Sequence, residues 1–352
     1  MDFMTAPAIR KAVEQRAAHG VFGYEHVDSG YYEAVCNWFG RRHQWTIEPA
    51  WILYTTGVVP AVSACIKALT RPGDGVIIMT PVYNCFFSSI RNNGCRIVEN
   101  RLLNDGGRYT IDFDDLEAKA SDEGNKAILL CNPHNPVGRR WTREELARVY
   151  IIGKEYGLAV ISDEIHNELT FNNERYQPFA TCHPQAMDIS VICTSPSKSF
   201  NTAGLQTANI ICSNDAWRRR IDRAININEV CDLNPFGPAA LKAAYNDSED
   251  WLDELCDYLW QNYLMLRNHF AQHLPQLRVT PLEATYLAWV DISALQTDAD
   301  TLCERLVREA RVRLSPGTMY DSEGGRQFVR INLACPRPML REALQRITNV
   351  IR

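Results

Sequence analysis

Between about residues 50 and 213, the chain alternates short runs of β-prone residues with helical patterns. Most of these runs are continuously apolar, as is expected for strands that are covered on both faces. The predicted strands span residues 76–79, 96–99, 127–131, 158–162, 189–194 and 209–212. Strands that alternate with helices predict an α/β domain, in which helices cover a central sheet that is mostly parallel.

Two of the intervening helices are clearly marked, at residues 60–69 and 142–156. Thr142 is a suitable N-cap, Glu145 completes a capping box with it, and Gly157 is a suitable C-terminal stop. In folds of this kind, functional groups gather in the loops beyond the C-terminal ends of the strands. We therefore expect a functional site at that edge of the sheet.

The character of the chain changes after Ala239. Predicted helices at residues 248–274, 300–310 and 338–351 are interspersed with predicted strands at 277–280, 286–290 and 328–332. This pattern predicts a smaller α+β domain. We expect a large domain over residues 21–245, a small C-terminal domain over residues 246–352, and an N-terminal segment, residues 1–20, that packs with the small domain.

Net charge and cysteine content indicate which kind of partner the chain binds and in which cellular compartment it lies. The 352 residues carry a formal net charge of −5, which argues against a nucleic-acid partner or an anionic membrane and favours a small molecule. The 12 cysteines include no Cys-x-x-Cys pair, a pattern typical of a reducing cytosol in a chain of this length. The sequence shows neither a secretory signal nor an apolar stretch of the roughly 18–20 residues that span a bilayer. We therefore predict a cytoplasmic protein.

Five segments carry candidate functional residues, and the first two are weak on their own. The run TTGVVPA at residues 55–61 leads into a helix, and backbone N–H groups at a helix N-terminus can hold an anion. A glycine before a helix is nevertheless more often a plain turn. Tyr83 follows the strand at 76–79, where its ring can lie against a planar cofactor or simply be half-buried.

The third and fourth segments follow the next two strands. In the run NPHNPVG at residues 132–138, the prolines restrict their neighbours and hold the Asn135 amide in a fixed direction, from which it can donate to a phenolate oxygen. In the run SDEIH at 162–166, Asp163 can pair with a protonated pyridine nitrogen and keep a cofactor ring electron-withdrawing. A cap or a salt bridge is its plainer alternative. His166 can assist Asn135 or be structural.

The fifth segment is the run TSPSKSFN at residues 194–201, which contains Lys198. The chain has seven lysines and thirty arginines, and Lys198 is the only lysine that follows a predicted buried strand. The serine hydroxyls on either side suit a phosphate. A lysine amine in such a pocket can form a Schiff base with an aldehyde cofactor and later act as a base. Together the five segments predict a site for pyridoxal 5'-phosphate (PLP).

These segments resemble the fold-type I PLP-dependent enzymes, the class I/II aminotransferase-like family, over essentially the whole chain. The sequence is similar to the cystathionine β-lyase or C–S lyase branch of that family, the MalY/PatB type. This similarity rests on MDF and TAP within residues 1–7, GVFGY at 20–24, SDEIH at 162–166, SPSKSFN at 195–201 with AGL at 203–205, TYLAW at 285–289 and VRINLACPR at 329–337.

The resemblance implies a role for each candidate residue. Lys198 holds PLP, Asp163 pairs with its ring nitrogen, and Tyr83 stacks on the ring. Asn135 binds the phenolate oxygen, and Arg330 binds the substrate α-carboxylate in a bidentate fork. The residues implied for the phosphate are the backbone of Val58 and Val59, Ser195, Ser197 and, from a neighbouring subunit, Tyr24. We assign Lys198, Asp163, Tyr83 and Arg330 to catalysis, and Arg330 with Asn135 to substrate binding. A homodimer with shared active sites follows from this resemblance.

Two departures from the family pattern matter. Many aminotransferases have a phosphate-binding arginine where this chain has Gln206, which favours the lyase branch. The sequence also begins about where the branch has its Asp-Met-Asp-Phe segment; if the mature protein lacks the preceding stretch of about thirty residues, an interface arm is lost, which would affect dimer stability and activity.

The predicted reaction is β-elimination from a sulfur-bearing L-amino acid such as cystathionine, giving pyruvate, ammonia and a thiol without a metal. An aminotransferase, which uses the same carbanion, is the first alternative. The second is a regulatory protein that binds a transcription factor or another partner and uses PLP only incidentally. Residues 25–32 and 226–237 are expected to contribute to the specificity pocket, and the sequence does not indicate which thioether is preferred.

Overall fold

The computed structural model describes residues 1–172, 174–228 and 232–352. Within these ranges the helices pack around two main sheets, and a short hairpin forms a third, two-stranded sheet. The α-helices are α1 Pro7–His19, α2 Ser29–His43, α3 Val58–Leu69, α4 Cys85–Asn92, α5 Phe113–Ala120, α6 Arg143–Glu155, α7 Asp215–Asn226, α8 Phe236–Asp247, α9 Glu249–His273, α10 Ala299–Arg305 and α11 Arg337–Ile351. The strands are β1 Ile52–Thr55, β2 Gly75–Thr80, β3 Arg96–Arg101, β4 Leu103–Asp105, β5 Arg108–Thr110, β6 Asn125–Cys131, β7 Ala159–Asp163, β8 Ser190–Thr194, β9 Ala208–Ile211, β10 Arg278–Val279, β11 Leu287–Asp291, β12 Ser315–Pro316 and β13 Phe328–Asn332.

The larger sheet has seven strands in the order β1-β9-β8-β7-β6-β2-β3. Strands β3, β2, β6, β7 and β8 run parallel to one another, whereas β9 is antiparallel to both β8 and β1. Alternate residues of β2 enter two different hydrophobic clusters, with Val76 and Ile78 in one and Ile77 and Met79 in the other. Both faces of the sheet are therefore buried, which explains the continuously apolar runs.

All six strands predicted for this sheet are confirmed, with bounds that differ by at most two residues. The capping box at the start of α6 is also confirmed, because Thr142 Oγ1 accepts from the Glu145 N–H (3.2 Å) and Glu145 Oε2 from the Thr142 N–H (2.8 Å). The sequence did not predict β1, a four-residue edge strand that pairs only with β9. Its apolar run is short and is interrupted by half-buried residues.

The second sheet has four antiparallel strands in the order β10-β11-β13-β12. Helix α9 precedes its first strand, α10 lies between β11 and β12, and α11 follows β13. This mixture of helices and antiparallel strands is the predicted α+β pattern. The helix predicted at residues 300–310 is not one regular helix: α10 ends at Arg305, and a π-helical turn over Leu306–Ala310 follows it. Arg311 closes this turn in the left-handed conformation (φ 54°), and its N–H donates to Leu306 O.

The N-terminal segment contacts both parts of the chain. The Asp2 N–H donates to Ala334 O (2.7 Å), two residues after β13 of the second sheet. Thr5 Oγ1 instead donates to Phe200 O (2.6 Å), in the loop after β8, and helix α1 packs against α8. The proposed division at residues 20 and 245, with residues 1–20 packing with the small domain, stays a prediction.

Among the helices in the described ranges, none combines the length and the apolar character needed to cross a membrane.

Candidate active site

The parallel strands β6, β7 and β8 end at the same edge of the larger sheet. Cys131, Asp163 and Cys193 are in register there, at or near the last residue of each strand. The loops that follow lead to a cavity of about 500 Å³. Ten of the eleven predicted site residues line it: Val58, Val59, Tyr83, Asn135, Asp163, His166, Ser195, Ser197, Lys198 and Arg330.

Tyr24 is the predicted site residue that lies elsewhere. Its side chain is 88% exposed, and it does not line the cavity of its own chain. The segments expected to form the specificity pocket do not line this cavity either, as far as they are described. Residues 229–231, within the expected stretch 226–237, lie outside the described residues.

Asp163 is a buried carboxyl group that faces the cavity. Burial raises its pKa from 3.8 to about 7, although an N–H bond from Ile165 to Oδ1 (3.1 Å) and the charge of Lys198 act in the opposite direction. A desolvated carboxylate is stabilised by a cation brought close to it. The Asp163 side chain therefore suits a ligand that carries a protonated nitrogen.

Lys198 lies in a loop that is fixed by its own backbone. The Phe200 N–H donates to Pro196 O (2.8 Å), and the Thr202 N–H donates to Ser197 O (3.1 Å). Burial lowers the pKa of the Lys198 amine, and the charge of Arg330 adds to this, while Asp163 acts to raise it. A larger fraction of neutral amine makes Lys198 a better nucleophile and base.

The N-terminus of α3 provides an anion site at the cavity wall. Gly57 precedes the helix, and no side chain caps it, so the first-turn N–H groups of Val58 and Val59 are available to an anion. Ser197 also lines the cavity. The Ser195 hydroxyl donates to Thr207 O (2.7 Å) and accepts from the Ser197 N–H (3.0 Å), so its proton is already engaged in shaping the loop.

Arg330 and Asn135 both line the cavity and are hydrogen-bonded to each other, with Arg330 Nη1 donating to Asn135 Oδ1 (3.1 Å). Because a guanidinium has only donors, Asn135 must direct its oxygen towards Arg330. Its NH₂ group then points elsewhere and can donate to a ligand. The remaining N–H groups of Arg330 can bind a carboxylate.

His166 and Tyr286 form another part of the wall. Their rings meet edge to face at 5.7 Å, and His166 Nδ1 is buried without a hydrogen-bond partner in the protein. Burial lowers the pKa of His166 to about 3, and the charges of Lys198 and Arg330 contribute. His166 is therefore neutral near pH 7. The prediction did not assign Tyr286 to the site, although it lies in the run TYLAW; only the tertiary structure brings it beside His166.

These features fit PLP on chemical grounds. The cavity offers an amine with a lowered pKa for an aldehyde, a carboxylate for a pyridine nitrogen, a tyrosine for a ring face and helix amides for a phosphate. Within the described part of the chain there is no group of three or more His, Cys, Asp or Glu side chains that could hold a metal ion.

A sequence model of the family described as Aminotransferase class I and II matches residues 1–347, and the chain belongs to that family. It is 40% identical over 347 residues to the protein named Cystathionine beta-lyase PatB of Bacillus subtilis (strain 168), with 99% of this chain and 89% of the relative covered.

Two solved structures are similar over nearly the whole chain. Cystalysin from Treponema denticola, which contains pyridoxal 5'-phosphate, has a TM-score of 0.96 at 36% identity, with 99% of this chain and 89% of that chain covered. The PLP-bound C–S lyase from Staphylococcus hominis has a TM-score of 0.93 at 32% identity, with 100% and 91% covered. These comparisons confirm the predicted fold class.

Proposed function

We propose that the chain is a PLP-dependent C–S β-lyase that acts on L-cystathionine or related cysteine S-conjugates and yields pyruvate, ammonia and a thiol. The observation that carries the proposal is that Lys198, Asp163 and Arg330 line one cavity. Their chemistry suits an aldehyde cofactor and an amino-acid substrate. Similarity to proteins named cystathionine β-lyase and C–S lyase supports elimination as the reaction.

In this proposal the cofactor is held at each of its ends. Lys198 would bind its aldehyde carbon through Nζ, Asp163 would pair with the ring nitrogen, and Tyr83 would stack on the ring. The Asn135 NH₂ group would donate to the phenolate oxygen, with His166 able to assist. The residues proposed for the phosphate are Val58 and Val59 through their backbone, with Ser195 and Ser197. When bound, PLP supplies an electron-withdrawing ring that stabilises negative charge at the substrate Cα.

The substrate is oriented and deprotonated by two side chains of this chain. Arg330 binds the α-carboxylate while it keeps its contact with Asn135 (3.1 Å). The Lys198 amine would remove the Cα proton, and its lowered pKa favours the neutral form required of a base. The bond from Cβ to sulfur then breaks, and the thiolate leaves.

An aminotransferase is the second candidate, because the matched family is described as class I and II aminotransferases. Both reactions begin with removal of the Cα proton by Lys198. The next step distinguishes them, because a lyase loses the Cβ thiolate whereas an aminotransferase returns the proton to the cofactor carbon. Gln206, where many aminotransferases have an arginine, supports elimination.

The two candidates are separated by incubating the PLP-loaded protein with L-cystathionine, with and without an added 2-oxo acid. We expect equal amounts of thiol and pyruvate in both reactions, because elimination needs no amino acceptor. The readouts are thiol titration, pyruvate reduction and ammonia determination. Amino transfer that depends on the 2-oxo acid and releases no thiol would contradict the lyase proposal.

We further propose a homodimer in which Tyr24 of each subunit reaches the phosphate of the other active site. Support comes from an exposed segment, because Val21, Phe22 and Tyr24 are 63%, 58% and 88% exposed. Apolar and aromatic side chains exposed side by side are typical of an interface. If the sites are shared, two differently inactivated subunits will restore activity when they are combined.

The location that we propose is the cytoplasm. The eleven cysteines among the described residues are all free, and seven of them are buried. Free thiols in these numbers support a reducing compartment.

A further inference from the structure

Tyr320 lies directly against the side chain that we propose for carboxylate binding. The guanidinium carbon of Arg330 lies 4.6 Å from the centre of the Tyr320 ring, and Tyr320 is 1% exposed. We infer that Tyr320 is a positioning residue that holds the Arg330 guanidinium in the orientation needed to bind a substrate carboxylate. This inference rests on the proposed amino-acid substrate.

The Tyr320 ring is itself held by other aromatic rings. Trp289 contacts it edge to face at 5.8 Å and 80°, and Phe328 stacks on Trp289 at 5.2 Å and 4°. Trp289 in β11 is also the register partner of Arg330 in β13. Its indole N–H donates to the Tyr109 hydroxyl (3.1 Å). The ring under Arg330 therefore belongs to a buried aromatic stack whose position is fixed by the small sheet.

The backbone around Tyr320 restricts it further. The Tyr320 N–H donates to Gly317 O (2.9 Å), and Tyr320 O accepts from the Val82 N–H (3.0 Å). Gly317 and Gly325 are so close that a Cβ on Gly317 would lie 2.2 Å from Gly325 O. The loop is therefore closely packed, and its hydrogen bond to Val82 links it to the segment that carries Tyr83.

Two contacts of the Arg330 guanidinium are seen. Its carbon lies over the face of the Tyr320 ring, and Asn135 Oδ1 accepts from Nη1 (3.1 Å). Stacking on an aromatic face does not consume the in-plane N–H groups, which are the groups that bind a carboxylate. A desolvated contact of a guanidinium with an aromatic ring is attractive, so its removal allows Arg330 to adopt other rotamers.

The test compares Y320L and Y320F in the PLP-loaded protein. The probe is 3-(methylthio)propanoate, a thioether carboxylate without an amine, and calorimetry gives its dissociation constant. We expect Y320L to weaken binding about tenfold and Y320F, which keeps the ring, to stay within about twofold. With L-cystathionine, Y320L is expected to raise KM by about the same factor and to change kcat less.

Two comparisons and one substitute variant make the test specific. F270L removes a buried ring of α9 that lies outside this stack and does not line the cavity, and it is expected to leave binding of the carboxylate probe unchanged. Binding of 2-(methylthio)ethylamine, which has no carboxylate, is expected to be the same in Y320L and the unmodified protein. Y320M takes the place of Y320L if circular dichroism shows that Y320L does not fold.

The inference is overturned if Y320L and Y320M bind the carboxylate probe normally, if Y320F is as weak as Y320L, or if F270L weakens binding equally. Because the probe cannot react, these outcomes do not depend on lyase activity. A protein that binds the probe through Tyr320 and Arg330 but releases no thiol from cystathionine would contradict the proposed function alone.

Discussion

Lys198→Ala is expected to lower the rate of pyruvate release from L-cystathionine by a factor of about 10² to 10⁴. Lys198 is the group proposed to remove the Cα proton, and a positioned general base contributes a factor of this size. The variant also lacks the amine that is proposed to bind the cofactor aldehyde. The measurement is steady-state turnover at saturating PLP and substrate.

The matched control is Lys154→Ala. Lys154 is an exposed lysine of α6 that does not line the cavity, and we expect its replacement to leave turnover within about twofold. A Lys198→Ala protein that is folded and turns over as fast as this control would remove Lys198 from the mechanism.

The Lys198→Ala variant also tests the shared sites. Refolding it together with Tyr24→Ala should produce mixed dimers in which one site has both an intact Lys198 and an intact Tyr24. With random pairing, about a quarter of the sites are complete, so about a quarter of the original activity is expected. Activity no higher than that of the two separate variants would contradict a site completed by Tyr24 of the neighbouring subunit.

Asp163→Asn is expected to lower turnover by about 10²- to 10³-fold, a size typical of losing a preorganised electrostatic contact in an active site. Asparagine has nearly the same shape but cannot hold a proton on the ring nitrogen of the cofactor. The ring then withdraws electrons less strongly. Glu164→Gln is the matched control, because Glu164 is an adjacent buried carboxyl group that does not line the cavity. It is expected to retain most of the turnover.

The same substitution should have the opposite effect on the stability of the cofactor-free protein. The pKa of Asp163 is raised from 3.8 to about 7 by burial, so the folded state retains a proton that the unfolded state has lost between these values. Below about pH 4 both states are protonated, and Asp163 contributes no penalty. Between about pH 4 and pH 7 the folded protein loses stability relative to the unfolded chain, and above pH 7 it bears the full penalty of a buried charge.

At pH 8 and without cofactor, we therefore expect the free energy of unfolding of Asp163→Asn to be higher than that of the original protein by up to about 4 kcal/mol. The difference should shrink to nearly zero at pH 4. Urea unfolding at a series of pH values measures it. A difference that is independent of pH would show that the Asp163 carboxyl is not destabilised by burial in the empty site.

The sequence predicted those parts of the fold that leave a local pattern. Strands β2, β6, β7, β8 and β9 are covered on both faces, so continuous apolar runs marked them. The edge strand β1 has only four residues and could not be distinguished from a loop. The turn after α10 was predicted as regular helix, because helical periodicity does not reveal a change from α- to π-type hydrogen bonding.

Some residues of the candidate site were predicted from local sequence patterns, and others were not. Asn135, Asp163 and Lys198 each follow a buried strand, so the ends of the strands located them. Arg330 was assigned only through the family resemblance, since β13 belongs to a different sheet. Tyr286 and Tyr320 contact His166 and Arg330 through tertiary packing, which no sequence spacing encodes.

The most direct test of the proposed mechanism is to find where PLP is attached. The PLP-loaded protein is reduced with borohydride and digested, and mass spectrometry locates the labelled lysine among the seven of the chain. We predict one cofactor per chain, on Lys198, together with loss of the visible absorbance and of lyase activity. A label on another lysine, or no label while lyase activity persists, would contradict the mechanism.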